Sequence, residues 1–299
     1  MPPSTVTPTI HSTSVPDRRF SRILREMWQG LISSRYIAYR LVVKDVRAEN
    51  AKNALGIFWD FVDPMVLGAI FYLLSLIGIV RSGMPEMPFV VFVVYGVLLY
   101  ETFSESILLT LNVIQRSKNI LTHLKVPPEA LILSVLFRVL FNSLFRVAIM
   151  LAFSLFLSST AAAAGQSSFS LPGFLGFLLF FPAIILAGLS IGVLLAPFNV
   201  IYSDVGRFVK VALIPLRYAT PVFYAIPATA ENPALQTLLS IVHNCNPVAF
   251  LLVNLRSLAT AGVMTDIPQT VICVIFFFTV FLIGWVIFHL AIPVLADRA

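Results

Sequence analysis

Charged side chains stand inside apolar runs long enough to cross a bilayer, Arg146 and Arg217 among them. Glu101 and Glu105 lie in the run from Phe89 to Ile114, and Arg138 lies in the run from Ala130 to Leu157. A charge inside a membrane costs several kcal/mol unless it is paired or wet, so such residues are functional candidates. At 1.5 Å per residue, Glu101 lies roughly 21 Å and Glu105 roughly 15 Å from the polar segment that opens at Gln115. Arg138 lies roughly 15 Å beyond Pro128 on the neighbouring antiparallel run. Equal depth predicts a Glu105–Arg138 pair. That pair either fixes helix register or gives a transport path a polar lining. A proton-coupled carrier would use the same carboxylates, but the charges do not recur in matching places of two halves, as repeat-built carriers often show.

Aromatic and basic residues form a second set. Tyr36, Tyr39, Trp59, Tyr95 and Tyr100 are candidates for lining a path, because flat rings pack on sugar C–H faces while hydroxyls hydrogen-bond outside. The other aromatics read as packing residues or interfacial anchors. Between Trp28 and Pro64 the chain is basic and mixed with aromatics. At helical spacing Ile32, Tyr36, Tyr39 and Val43 share one side, and Arg40, Lys44 and Arg47 share another. Such a helix suits the membrane surface, aromatics down and cations toward lipid phosphates. A cationic flank that only fixes topology has the same composition.

Other chemistries find no motif. GxxxxGK[ST], HExxH and GxSxG are all missing from the sequence. The chain therefore reads as no enzyme and as holding no cofactor or metal. Work against a gradient would draw on a partner or on coupled ions. Cys245 and Cys273 form no CxxC pair. The net charge of +6 does not point to nucleic acid, because the cations gather in segments that topology places in the cytoplasm.

The elements that position these residues follow from composition. Apolar residues make up 59% of the chain and charged residues 11%, with a mean hydropathy of +0.93. Soluble domains carry roughly 25% charge, so this is an integral membrane protein. Its long apolar runs exclude a β-barrel and predict an all-α fold with six transmembrane helices. The expected spans cover about 64–80, 89–114, 130–157, 172–201, 208–226 and 267–295. Residues 1–27 read as a disordered cytoplasmic tail, 28–53 as an amphipathic interface helix, and 54–299 as the transmembrane domain. Fifteen of the twenty Lys and Arg fall on one side of these spans, and only Arg81 and Arg256 on the other. That asymmetry puts both termini in the cytoplasm of a multi-pass protein. Residues 227–266 are too apolar for a loop, yet Asn244, Cys245, Asn246 and Pro247 split them into 234–242 and 248–259. Neither piece can span a bilayer, so two short re-entrant helices on the outer side are expected, with a surface-lying amphipathic pair as the alternative.

In this order the segments resemble the transmembrane permease subunit of ABC-2-type polysaccharide exporters, which move capsular polysaccharide, O-antigen or teichoic acid. KDVRAENAKNALGIFWDFVDPM is similar to that family's basic entry helix, with Leu55, Gly56, Trp59 and Pro64 at its marked positions. SKNILTHLKVPPEAL resembles its cytoplasmic coupling loop, TPVFYAIP the outer end of its fifth span, and NPVAFLLVNLRSLATAG the second of its paired periplasmic gate helices. Ser203 and Ser257 depart from the family pattern, which often has an arginine and an acid there.

The resemblance implies a homodimer joined to two ATP-binding subunits that carry the ATP and magnesium. Lys118, Asn119, Ile120, Leu121, His123, Leu124 and Lys125 would form the ATPase-coupling loop. Asn246, Pro247 and Arg256 would belong to the gate helices. A channel between protomers, lined by the first and fifth spans, would pass a lipid-linked polysaccharide, with capsule slightly ahead of O-antigen. Arg40, Lys44 and Arg47 would contact its lipid head group, and a periplasmic partner could continue the route. The location implied is the bacterial inner membrane. The rivals are an ABC-2 exporter of a small lipid or drug, an ion-coupled carrier acting alone, and a non-transporting scaffold.

Overall fold

A computed structural model describes residues 20–50, 62, 65–66, 69–70, 73–74, 77–78, 89–121, 126–163, 170–224, 237 and 245–296. Every regular element among these residues is a helix. The first two, α1 (Phe20–Ser33) and α2 (Arg35–Asn50), run almost as one rod. The amides of Ser34 and Ala38 carry the helical hydrogen bonds through the junction, at 3.0 and 2.8 Å. The helix thus begins ahead of Trp28, inside the stretch expected to be a tail. Phe20, Leu24, Met27 and Leu31 recur at helical spacing and are the sequence signal for this extension.

Next come α3 (Phe89–Leu111), the short α4 (Val113–Arg116) and α5 (Lys118–Leu121), and then α6 (Pro128–Ala163). They are followed by α7 (Leu171–Phe180), α8 (Pro182–Ile201), α9 (Asp204–Ala219), α10 (Pro247–Ala261) and α11 (Ile267–Ala296). Helix α3 is the centre of the bundle and is buried over most of its length. Helix α8 packs between α3 and α11, α6 packs on α3, and α10 packs on α7.

Small residues make the α3–α8 seam close. Thr102, Ser106 and Thr110, one turn apart, donate their hydroxyls to the carbonyls of Leu98, Thr102 and Ser106 at 2.8, 2.6 and 2.6 Å. These three hydroxyls are thereby satisfied within their own helix. Gly188 and Gly192 of α8 lie against this face, and a Cβ on either would strike Ser106 or Thr110. Close backbone approach of this kind is what holds helices together in lipid, where the hydrophobic effect gives no drive.

Four described stretches are long and apolar enough to cross a membrane: Phe89–Leu111, Pro128–Leu155, Leu171–Ile201 and Ile267–Ile292. The chain is a multi-pass membrane protein. The third stretch joins α7 to α8 through Phe181, whose dihedrals stay helical, with Pro182 at the first position of α8, where no N–H is needed.

Of the six expected spans, the fifth differs and the first is only partly described. The first, 64–80, falls largely outside the described residues; within it Met65, Val66, Ala69, Ile70, Leu73 and Leu74 are helical. The fifth, expected over 208–226, is the 16-residue α9, and the chain turns at Thr220. Arg207, Lys210 and Arg217 interrupt its apolar pattern, and Pro221 ends it. Of the two short helices expected around Asn246, the first lies outside the described residues save for Thr237. The second is α10, 15 residues long. The Asn246 side chain caps it, accepting from the amides of Val248 and Ala249 at 3.1 and 3.3 Å. Pro247 opens its first turn, and Gly262 closes it at φ 76°, a conformation that favours glycine.

Candidate functional site

The polar groups of the core gather along α3. Glu105 accepts hydrogen bonds from Asn142 Nδ2 and Arg146 Nη1 of α6, each at 2.5 Å. Arg146 also reaches Thr102 Oγ1 at 3.4 Å. One turn away Glu101 faces Arg217 of α9 at 3.9 Å, and that guanidinium lies 5.4 Å from the centre of the Tyr100 ring. Two carboxylates on α3 thus tie it to two different neighbours.

The expected Glu105–Arg138 pair is corrected: the partner is Arg146, two turns further along α6. The depth count took Pro128 as the membrane surface. Helix α6 has 36 residues, roughly 54 Å, against a hydrocarbon core of about 30 Å. The helix is thus longer than a crossing needs, and it packs on α1 and α2 as well as on α3. Arg138 is half-buried on the same helix, nearer its start.

The aromatic candidates divide. Tyr95 and Tyr100 are 0% and 1% exposed. The Tyr95 hydroxyl lies 2.8 Å from Ser154 Oγ, and Tyr100 donates to the Leu213 carbonyl at 2.6 Å. Both rings are buried, and their hydroxyls bind neighbouring helices. Tyr36 and Tyr39 are instead open, at 70% and 59% exposure. With Trp28 and Ile32 they form one outward stripe on α1 and α2, while Met27, Ser34, Ala38 and Leu41 face the bundle. Val43, expected in that stripe, is half-buried. Arg40, Lys44 and Arg47 are exposed beside it, Arg40 lying 6.0 Å from the Tyr36 ring centre. Trp59 lies outside the described residues.

In the coupling segment, Lys118 is exposed, while Ile120 and Leu121 pack against the core. Asn119 is described by its backbone only, within α5, and His123, Leu124 and Lys125 lie outside the described residues. The segment opens with two short helices, α4 and α5, separated at Ser117.

Arg256 of α10 is 2% exposed. Its Nη1 donates to the Pro221 carbonyl at 3.1 Å and to that of Phe92 at 3.5 Å, and the guanidinium sits 3.5 Å from the Phe92 ring centre. Carbonyl oxygens and a π face replace water around this charge. Asn246 adds a second tie, donating to Thr220 Oγ1 at 2.9 Å. Helix α10 is thereby fastened to α3 and to the turn after α9.

Sequence reasoning missed Asn142 and left Arg146 and Arg217 without roles. It also missed Glu129, 1% exposed at the start of α6, whose carboxylate meets His289 Nδ1 of α11 at 2.6 Å and lies against Gly30 of α1. A partner 160 residues away leaves no local signal.

No protein-family model matches the chain. It is 27% identical over 243 residues to the O-antigen export system permease protein RfbA of Myxococcus xanthus, an alignment that covers 79% of this chain and 84% of that protein. The resemblance to polysaccharide-exporter permeases is borne out over most of the chain.

Proposed function

From that likeness to an O-antigen export permease, we propose that this chain is the channel-forming subunit of an ATP-driven exporter of a lipid-linked polysaccharide. It works in the bacterial inner membrane with both termini cytoplasmic, as a homodimer bound to two ATP-hydrolysing subunits. The observation that carries the reading is the alignment with RfbA over 79% of the chain. The sequence slightly favours capsule; the relative's name, an O-antigen export permease, supports the O-antigen class instead.

Three features of the chain support the same reading. The exposed stripe of Trp28, Ile32, Tyr36 and Tyr39, with Arg40, Lys44 and Arg47 beside it, suits a bilayer surface and an anionic lipid head group. Val66, Ile70, Leu73 and Ile77 form an exposed stripe on the first expected span, and Phe208, Val211, Ile214 and Tyr218 another on α9. Two such faces meeting across a two-fold axis would wall a channel, its polymer moving past rings that stack loosely. Closure of the ATP-binding partners would press on α4 and α5 and shift the bundle as rigid bodies.

The test is transport in inverted membrane vesicles. Co-isolation of an ATP-binding subunit, and ATP-dependent accumulation of labelled lipid-linked polymer in the lumen, are the expected results. Accumulation that persists after the ATP-binding subunit is removed would favour an ion-coupled carrier. Transport of short lipids but not polymer would favour a small-lipid exporter.

A further inference from the structure

Helix α3 does not run on into α4. It stops at Asn112, whose dihedrals (φ −98°, ψ 3°) leave the helical range. The break frees the Leu111 carbonyl, and Asn199, near the end of α8, takes it: Nδ2 donates to Leu111 O at 3.0 Å and to Asn112 Oδ1 at 3.2 Å. Gln115 of α4 closes the ring, its Nε2 donating to the backbone carbonyl of Asn199 at 2.9 Å. Asn112 Nδ2 in turn donates to Leu108 O at 2.8 Å. On the far side, Gly206 in the first turns of α9 lies so close that a Cβ there would sit 2.7 Å from Asn199 Oδ1. Asn199 is 1% exposed.

This amide has three neighbours: the elbow before the coupling segment, the last turn of α8, and the start of α9. The hydrogen bonds tie α4 to the last turn of α8, and α9 starts three residues beyond the end of α8 with Gly206 packed on Asn199. A buried amide that loses its partners costs about 1–3 kcal/mol per unsatisfied group, so the set moves together or breaks.

We propose that Asn199 is a positioning residue that passes displacement of the coupling segment to α9, through an amide clasp made with Leu111, Asn112 and Gln115. The proposal rests on the exporter reading and adds the route by which force applied at α4 reaches the exposed face of α9. Gly206 is the position that lets α9 come close enough to follow.

The test uses the full complex with its ATP-binding subunit, in vesicles and in nanodiscs. Asn199→Leu fills the site without donors. Gln115→Leu, at an exposed position, removes one clasp bond with little risk to folding. For both variants the expected result is ATP hydrolysis within about twofold of wild type, with polymer exported per ATP falling at least tenfold for Asn199→Leu and several-fold for Gln115→Leu. Hydrogen exchange with and without a non-hydrolysed ATP analogue supplies the readout that a merely structural role would not move. The nucleotide-dependent change in the first turns of α9 should vanish while that in α4 remains. A preserved nucleotide response in α9, or hydrolysis falling in step with export, overturns the clasp. If Asn199→Leu fails to assemble, Gln115→Leu decides alone. A wild-type complex without ATP-driven export overturns the exporter reading itself, and is recognised before any variant is made.

Discussion

Replacing Glu105 by Gln strands the Arg146 guanidinium inside the bundle. The two side chains are 20% and 16% exposed, so solvent screens them only in part. At roughly 4 Å between charge centres and an effective dielectric near 20, their attraction is about 4 kcal/mol. Removing one partner of a buried pair costs about 3–5 kcal/mol, because the other charge is left uncompensated. Glu105→Gln and Arg146→Met should therefore each destabilise the protein by about 3–5 kcal/mol. The double variant should recover a large part of that loss, since no uncompensated charge is left in the bundle. The assay is reversible unfolding in mixed lipid–detergent micelles, read as a double-mutant cycle. Glu105→Gln combined with Arg138→Met is the control and should be additive. Additive losses for the Glu105–Arg146 cycle, or strong coupling in the Arg138 cycle, would refute the register argued for α3 against α6.

Three other substitutions probe other parts of the molecule. Gly188→Val would wedge the α3–α8 seam against Ser106 and lower stability by about 1–3 kcal/mol, measurable as a fall in the thermal midpoint in detergent. Arg256→Met strips the Pro221 and Phe92 carbonyls of their donor and should cost about 2–4 kcal/mol, with protease sensitivity appearing first at the α10 end of the bundle. Tyr36→Ala with Tyr39→Ala removes exposed rings, so the thermal midpoint should stay close to wild type, within about 0.5 kcal/mol, while polymer export falls.

The spans that could be read from sequence were those whose signal is length and hydropathy, such as Ile267–Ile292. The α10 boundary was equally legible, because Asn246, Pro247 and Gly262 state their own turn and cap chemistry. What could not be read was register. Whether Glu105 meets Arg138 or Arg146 depends on how the 36-residue α6 is placed along α3, and no local pattern fixes that. Tyr95 and Tyr100 look alike whether they line a path or fill a core. Only the partners of their hydroxyls, Ser154 and the Leu213 carbonyl, tell the two apart. The Glu129–His289 and Asn112–Asn199 pairs bring together residues 160 and 87 positions apart, beyond any local pattern.

The length of α6 has a mechanical consequence. A stiff 36-residue rod pivoting at its middle moves its two ends in opposite directions by equal amounts. Over roughly 54 Å, a tilt of about 10° swings each tip by roughly 5 Å, close to one helical turn. Displacement of one tip would therefore be felt as a shift of equal size and opposite direction at the other, with no need for any helix to bend.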